Sequence, residues 1–185
     1  SPITDSRAGY YYRYDDNMQA YRLYTLALAK APELSAMNRL RERPALSQQA
    51  RWRLAAAYVL AGQPEVAAQL TKDLNVYVPD YSEMAYSYGS ATRDEAMILE
   101  TLVLMNRRNE AIPLMKKISA ALSSQRWMST QETAYCLIAM SKFAGTNGTS
   151  SQMKYQYVLN GTSSEVITSK LPVSQVDMKV KGDDG

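Results

Sequence analysis

The run Leu54-Ala55-Ala56-Ala57-Tyr58-Val59-Leu60-Ala61 leaves a helix no polar side to turn toward water. Such a helix is stable only when other elements wrap it, and that requirement constrains the whole fold. Two further segments are nearly as apolar all round: Ala96 to Leu99 with Leu102 to Met105, and Ala134 to Met140. Between them lie helices with a single apolar stripe and Arg, Lys, Glu or Gln opposite. One carries Leu34, Met37 and Leu40, the next Val66, Ala67, Leu70 and Leu74, and another starts near Glu110. Wrapped and half-wet helices thus alternate. The pattern predicts a mainly α fold of helical hairpins in two layers, an inner and an outer row, of the α/α solenoid or toroid type, with a short C-terminal β segment.

Local signals set the expected boundaries. Ala20, Leu23, Tyr24, Ala27 and Leu28 share one face of the first helix, with Asn17 as its expected cap. Pro32 is expected in the first turn of the second. The third runs from about Ser47 to Ala61 and stops at Gly62, and Pro64 opens the fourth. A tyrosine-rich loop, Tyr77 to Tyr88, precedes a fifth over about Thr92 to Met105. The sixth is expected to place Pro113 in its first turn, and the seventh spans about Thr130 to Phe143. Comparable inner alanines, Ala20, Ala50, Ala96 and Ala134, are spaced by 30, 46 and 38 residues. A tetratricopeptide array holds about 34. AYVLAGQPEVAAQL looks like one such repeat but its neighbours lose the register, so an irregular toroid fits better than a regular solenoid.

Residues 145–152, rich in Gly, Ser and Thr, read as a linker after a helical domain over 1–144. Beyond it, Met153, Tyr155, Tyr157 and Leu159 alternate with polar residues, Asn160-Gly161 signals a hairpin, and Val176, Met178 and Val180 alternate again. Residues 153–185 are therefore expected to form strands that, in a β segment this short, pair with a sheet supplied elsewhere or stay partly disordered.

The chain contains no histidine and one cysteine, Cys136. Serine–histidine and cysteine–histidine catalysis, the ordinary zinc sites and an internal disulfide are therefore impossible within it. A formal charge of +3 without a long basic block gives no nucleic-acid footprint, and Arg39-Leu40-Arg41-Glu42-Arg43 reads as a solvated helix end. No apolar run is long enough to cross a membrane. The start at Ser1-Pro2-Ile3-Thr4 reads as a mature piece or a fragment.

Carboxylates for acid–base work are Asp15, Asp16, Asp94, Glu95 and Glu100. Two of them would serve a glycosidase, but loop positions account for Asp15 and Asp16 and capping for Asp94 and Glu95. Ser129 and Glu132 form the Ser-x-x-Glu capping pattern, which leaves Cys136 as a small hydrophobe inside a helix. Tyrosines number 14 against one Phe, with four at Tyr10, Tyr11, Tyr12 and Tyr14, which suggests half-buried contacts, a docking surface more than a carbohydrate platform. Asn147-Gly148-Thr149 and Asn160-Gly161-Thr162 fit the glycosylation sequon and also fit turns. No catalytic, cofactor-binding or metal-binding residue is assigned.

WMSTQETAYCLIAMSKF (Trp127 to Phe143) resembles the Trp-x-x-Thr-Gln-(Glu/Asp)-Thr-Ala helix near the end of the thioester domain in alpha-macroglobulins. YGSATRDEAMILETL (Tyr88 to Leu102) is similar to the Tyr-Gly-Ser-x-x-Arg-Asp-x-Ala segment of the bacterial members. Tyr21 to Leu40, Arg51 to Ala68 and MKYQYVLNG are similar in the same order, so the resemblance covers about Asn17 to Asn160. It implies half of an α/α toroid and the first strands of a β-sandwich domain, within a bacterial alpha-2-macroglobulin-like peptidase inhibitor. The implied setting is the cell envelope, periplasmic or outer-surface. Implied partners are the other domains of one large polypeptide and the peptidases it traps, and the implied role is non-enzymatic, without a cofactor. The family's Gly-Cys-x-Glu-Gln thioester motif does not occur: Gln131 precedes Cys136 and Ala139 stands three residues after it. The alternatives are a helical-repeat scaffold that binds a protein partner and an α/α-toroid glycosidase.

Overall fold

Three of the hairpins turn on the same backbone device. In the computed structural model, which describes residues 6–83, 89–145, 153–159 and 162–169, the helices are α1 (Ser6–Leu28), α2 (Leu34–Arg41), α3 (Gln48–Leu60), α4 (Pro64–Thr71), α5 (Ala91–Leu104), α6 (Arg108–Leu122) and α7 (Thr130–Gly145). At the end of α3, Gly62 N–H donates to the Val59 carbonyl at 3.0 Å and Gln63 N–H to the Tyr58 carbonyl at 2.8 Å. This double closure satisfies carbonyls the helix leaves orphaned, and it requires the left-handed conformation seen at Gly62, φ 78°. Lys30 after α1 and Asn106 after α5 adopt the same conformation, with the matching bonds from Lys30 to Ala27, Ala31 to Leu26, Asn106 to Val103 and Arg107 to Leu102.

Each device reverses the chain from one row into the other. α1, α3 and α5 lie side by side, α2 packs on α1 and α3, α4 on α3, and α6 on α5. α3, at the centre, is buried from Trp52 through Tyr58, as its all-round apolar run requires. Two apolar cores meet at this helix. One joins Ala20, Leu23 and Ala27 of α1 to Met37, Leu40, Leu54 and Leu70. The other joins Trp52 to Ala96, Ile98, Leu99 and Leu102 of α5, Ala111, Leu114 and Ile118 of α6, and Cys136, Ala139 and Phe143 of α7. The chain is mainly helical.

Several expected boundaries shift. α1 starts earlier, so Asn17 is not a cap; its side-chain oxygen accepts from the Ser47 hydroxyl at 3.0 Å. Asp15 and Asp16 are helical rather than in a loop. Pro32 lies before α2, whose N-cap is Glu33. Pro113 stands inside α6 rather than in its first turn, because the helix starts at Arg108, directly after the left-handed closure at Asn106. The seventh helix is not wrapped: Cys136, Ala139 and Phe143 face the core, whereas Leu137 and Ile138 are 54% and 47% exposed. No eighth helix of an outer row stands among the described residues to cover that side.

The chain divides into two compact units, Ser1–Phe143 and Ala144–Gly185. In the second, β1 (Met153–Leu159) pairs antiparallel with β2 (Thr162–Ser169), Met153 opposite Ser169 and Leu159 opposite Thr162. The register slips between Gln156 and Val158, with the extra residue in β2. The Asn160-Gly161 turn, both sequons, the stretch Val176 to Val180 and the side chains of Tyr10, Tyr11, Tyr12, Tyr14 and Asp15 lie outside the described residues.

The αL cap gives a clean test. A Cβ built at Gly62 meets nothing within 4 Å, so Gly62→Ala adds backbone strain without a clash. Urea denaturation should show a loss of about 1 kcal/mol.

Candidate functional site

Arg53 is the one charged residue among the buried positions of α3, so it must find its counter-charge inside the protein. It does so on α5: Arg53 Nη1 donates to Glu100 Oε2 at 2.7 Å, and the two side chains are 2% and 3% exposed. The other carboxylate oxygen, Oε1, accepts from the Tyr24 hydroxyl of α1 at 2.5 Å and from Lys142 Nζ of α7 at 2.5 Å. Lys142 also donates to the Tyr24 hydroxyl at 3.1 Å. Glu100 therefore gathers a donor from each of α1, α3 and α7. The rings of Tyr24 and Tyr135 lie 4.3 and 5.8 Å from the Arg53 guanidinium carbon, and Tyr21 meets Tyr135 edge to face at 6.4 Å.

The electrostatics follow from this crowding. Burial on its own raises the Glu100 pKa, but the Arg53 charge and the bonds from Lys142, Tyr24 and Arg53 overcome it, and the net displacement is downward. Burial raises that of Tyr24, and the bond to Glu100 adds to the rise. For Lys142 burial lowers the value, yet the bond and charge of Glu100 bring it above the ordinary range.

A second cluster stands at the N-terminal ends of α5 and α7. The α5 cap is Ser90, whose hydroxyl accepts from Arg93 N–H at 3.1 Å, so the expected capping by Thr92 and the carboxylates after it does not occur. The reason is upstream: Ser90 is held extended by a bridge to Ser82, which sets the N-cap two residues before Thr92. Asp94 is free to take other partners. It accepts from Tyr81 at 2.6 Å and from two nitrogens of Arg93 at 3.0 and 2.8 Å. Arg93 Nη1 reaches Gln131 Oε1 of α7 at 3.2 Å. Arg126 donates to Thr92 at 3.2 Å and to Glu132 at 2.9 Å. Ser129 does cap α7, accepting from Glu132 N–H at 3.1 Å, while the Glu132 carboxylate serves Arg126. Burial, followed by the Asp94 charge, drives the Tyr81 pKa far up.

The expected carboxylates are thus dispersed among different partners. Asp16 pairs with Arg43 at 2.5 Å, Glu95 with Lys117 at 2.6 Å, Asp94 with Tyr81 and Arg93, and Glu100 with the central four-way network. A general acid needs a carboxyl whose pKa is raised; Glu100 is displaced the other way. Among the described residues no three of His, Cys, Asp and Glu converge for a metal ion. Cys136 is fully buried, and burial, then the Glu132 charge, push its thiol up to about 12. Reading by motif missed Tyr24, Arg53, Tyr81 and Lys142. The available signal was a charge set against an apolar run in each of two wrapped helices, Arg53 beside Leu54 in the third and Glu100 beside Leu99 in the fifth.

No family model, curated protein or solved structure matches this chain.

The central network has a pH signature. Glu100 is displaced downward from 4.5, so its contribution to stability is complete above that value and is lost as pH falls through the folded-state pKa. Tyr24 and Lys142 are displaced upward from 10.0 and 10.5, so theirs is complete below those values and is lost as pH rises through the folded-state pKa values. Denaturant midpoints should therefore hold a plateau between these limits and fall on both sides. Glu100→Gln leaves Arg53 buried without a counter-charge, and urea titration at pH 7 should show a loss of about 3 kcal/mol with a flatter acid limb. Cys136 should resist a thiol-labelling reagent at pH 8 in the folded chain and react at once in denaturant.

Proposed function

We propose that the chain is a non-catalytic module of a bacterial alpha-2-macroglobulin-like peptidase inhibitor of the cell envelope, with the helices as part of a thioester-domain α/α toroid. The observation that carries the reading is the fate of the two resembling motifs. Arg93 of YGSATRDEA and Gln131 of WMSTQETA, distant in sequence, bond to each other at 3.2 Å. Thr92, Asp94 and Glu132 join the same cluster through Arg126, Tyr81 and Arg93. Motif residues spent on strapping one helix end to another describe an architecture rather than a reaction. The buried, protonated Cys136 and the lack of any histidine fit a part of the molecule that performs no acyl transfer. Trp127, Leu137 and Ile138, 68%, 54% and 47% exposed, supply an apolar face on which another domain of the same polypeptide would pack.

The test is made on the polypeptide isolated from its source. Incubated with an excess of that polypeptide, trypsin should lose cleavage of a large protein substrate while retaining cleavage of a small amide, the behaviour of a caged peptidase. Equal loss on both substrates, or loss on neither, would refute the proposal.

A further inference from the structure

α7 is attached to the helical unit differently from the other inner helices. α1 meets α3 in a core that includes Ala20, Ala27, Ala50, Ala55 and Ala57, and side chains this short let the two backbones approach closely, as those of α3 and α5 also do. α7 makes few such approaches and is held chiefly by long side chains. Lys142 reaches Glu100 and the Tyr24 hydroxyl, Gln131 meets Arg93, and the Tyr135 ring meets Tyr21. Four of its sixteen residues are buried, against eight of thirteen in α3 and nine of fourteen in α5. Its connection differs too. The left-handed closures that lock α1 to α2, α3 to α4 and α5 to α6 have no counterpart between α6 and α7, where Ser123 to Trp127 are exposed.

The polar bonds of α7 are arranged so that its departure strands no buried charge. Among the described residues, one ion pair joins α7 to another helix, Lys142 to Glu100. If it breaks, Glu100 keeps Arg53 and Tyr24, and Lys142, already 31% exposed, carries its charge into water. Arg93 keeps Asp94 when it loses Gln131. Glu132 leaves together with Arg126, which comes from the loop before α7, at the loss of one bond to Thr92. Parting α3 from α5 would instead strand both Arg53 and Glu100, and a buried charge without its partner is what makes such a break costly. The apolar loss on release is the burial of Cys136, Ala139 and Phe143, since Leu137 and Ile138 are already wet.

We propose that α7 is a detachable strap, which swings away as a unit about residues 123–129 while α1 to α6 stay folded, with Lys142 on Glu100 as the catch that holds it shut. The closed form dominates, so Cys136 stays shielded on the timescale of thiol labelling and slow exchange with solvent is what detects the open one. The inference does not depend on the activity of the parent protein.

The test follows amide hydrogen exchange along the 185-residue chain at several urea concentrations below the unfolding transition, under conditions where exchange reports the opening equilibrium. Amides of α7 should be protected roughly tenfold less than those of α3 and α5, or weaker still, and should share one shallower urea dependence. Gly62→Ala, remote from α7, destabilises the closed and open forms alike, so it should cut protection in α3 and α5 about fivefold and leave α7 unchanged. Lys142→Met should lower the protection of α7 several-fold. Equal protection and equal urea slope in α3 and α7, or a loss in α7 that matches the loss in α3 on Gly62→Ala, means that the helices unfold together and overturns the proposal. So does exchange in α7 that ignores urea and varies residue by residue, the signature of fraying. Protection of α7 that is unaltered by Lys142→Met overturns the assignment of Lys142 as the catch.

Discussion

The ion pair between Arg53 and Glu100 sets the terms for the inner helices. Both side chains are withdrawn from water, and an isolated charge at either position would cost several kcal/mol in desolvation. The pair is tolerable only if α3 and α5 hold a fixed rotation and translation relative to each other. Tyr24 and Lys142 extend the same constraint to α1 and α7, since both donate to the oxygen that Arg53 leaves free. Apolar packing is indifferent to small slippage between helices, whereas a carboxylate shared by three donors is not. The network thus acts as a register pin where the two apolar cores meet.

Around that pin the chain repeats one local solution. α1, α3 and α5 each end in a double carbonyl closure with a left-handed residue, and each is followed by a helix of the outer row. Glycine fills that position once. Lysine and asparagine fill it elsewhere at a conformational cost that the closure and the ensuing packing offset. α3 has neighbours on most sides, α5 fewer, and α7 keeps Leu137 and Ile138 toward water. Burial is similar in α3 and α5 and drops at α7.

A second polar cluster stands at the starts of α5 and α7. Ser90, Arg93, Asp94 and Gln131 start α5 and tie it to α7, with Tyr81 bracing the loop before them. These are polar residues at helix ends, where orphan backbone donors and exposed charge make specific bonding worthwhile. Side chains so placed constrain one another, because each bond fixes its partner's identity.

What the sequence alone determined follows from short-range rules. All-round apolar runs fixed which segments are helical and that α3 and α5 are buried; Ser47, Gly62, Pro64 and Ser129 fixed helix ends, because capping depends on residues within one turn. The absence of histidine rules out serine–histidine and cysteine–histidine catalysis within this chain. Tertiary structure decided the rest. Asn17, Asp94 and Glu132 have side chains suited to capping, but stronger partners brought from elsewhere in the chain, Ser47, Tyr81, Arg93 and Arg126, claimed them. That Tyr24, Arg53, Glu100 and Lys142 meet at one point could not be read from spacing, because helix periodicity gives the face a residue occupies and not which distant face it will meet. The wet side of α7 was likewise undetermined, since an apolar surface states a demand for cover that only the packed chain shows to be met or unmet.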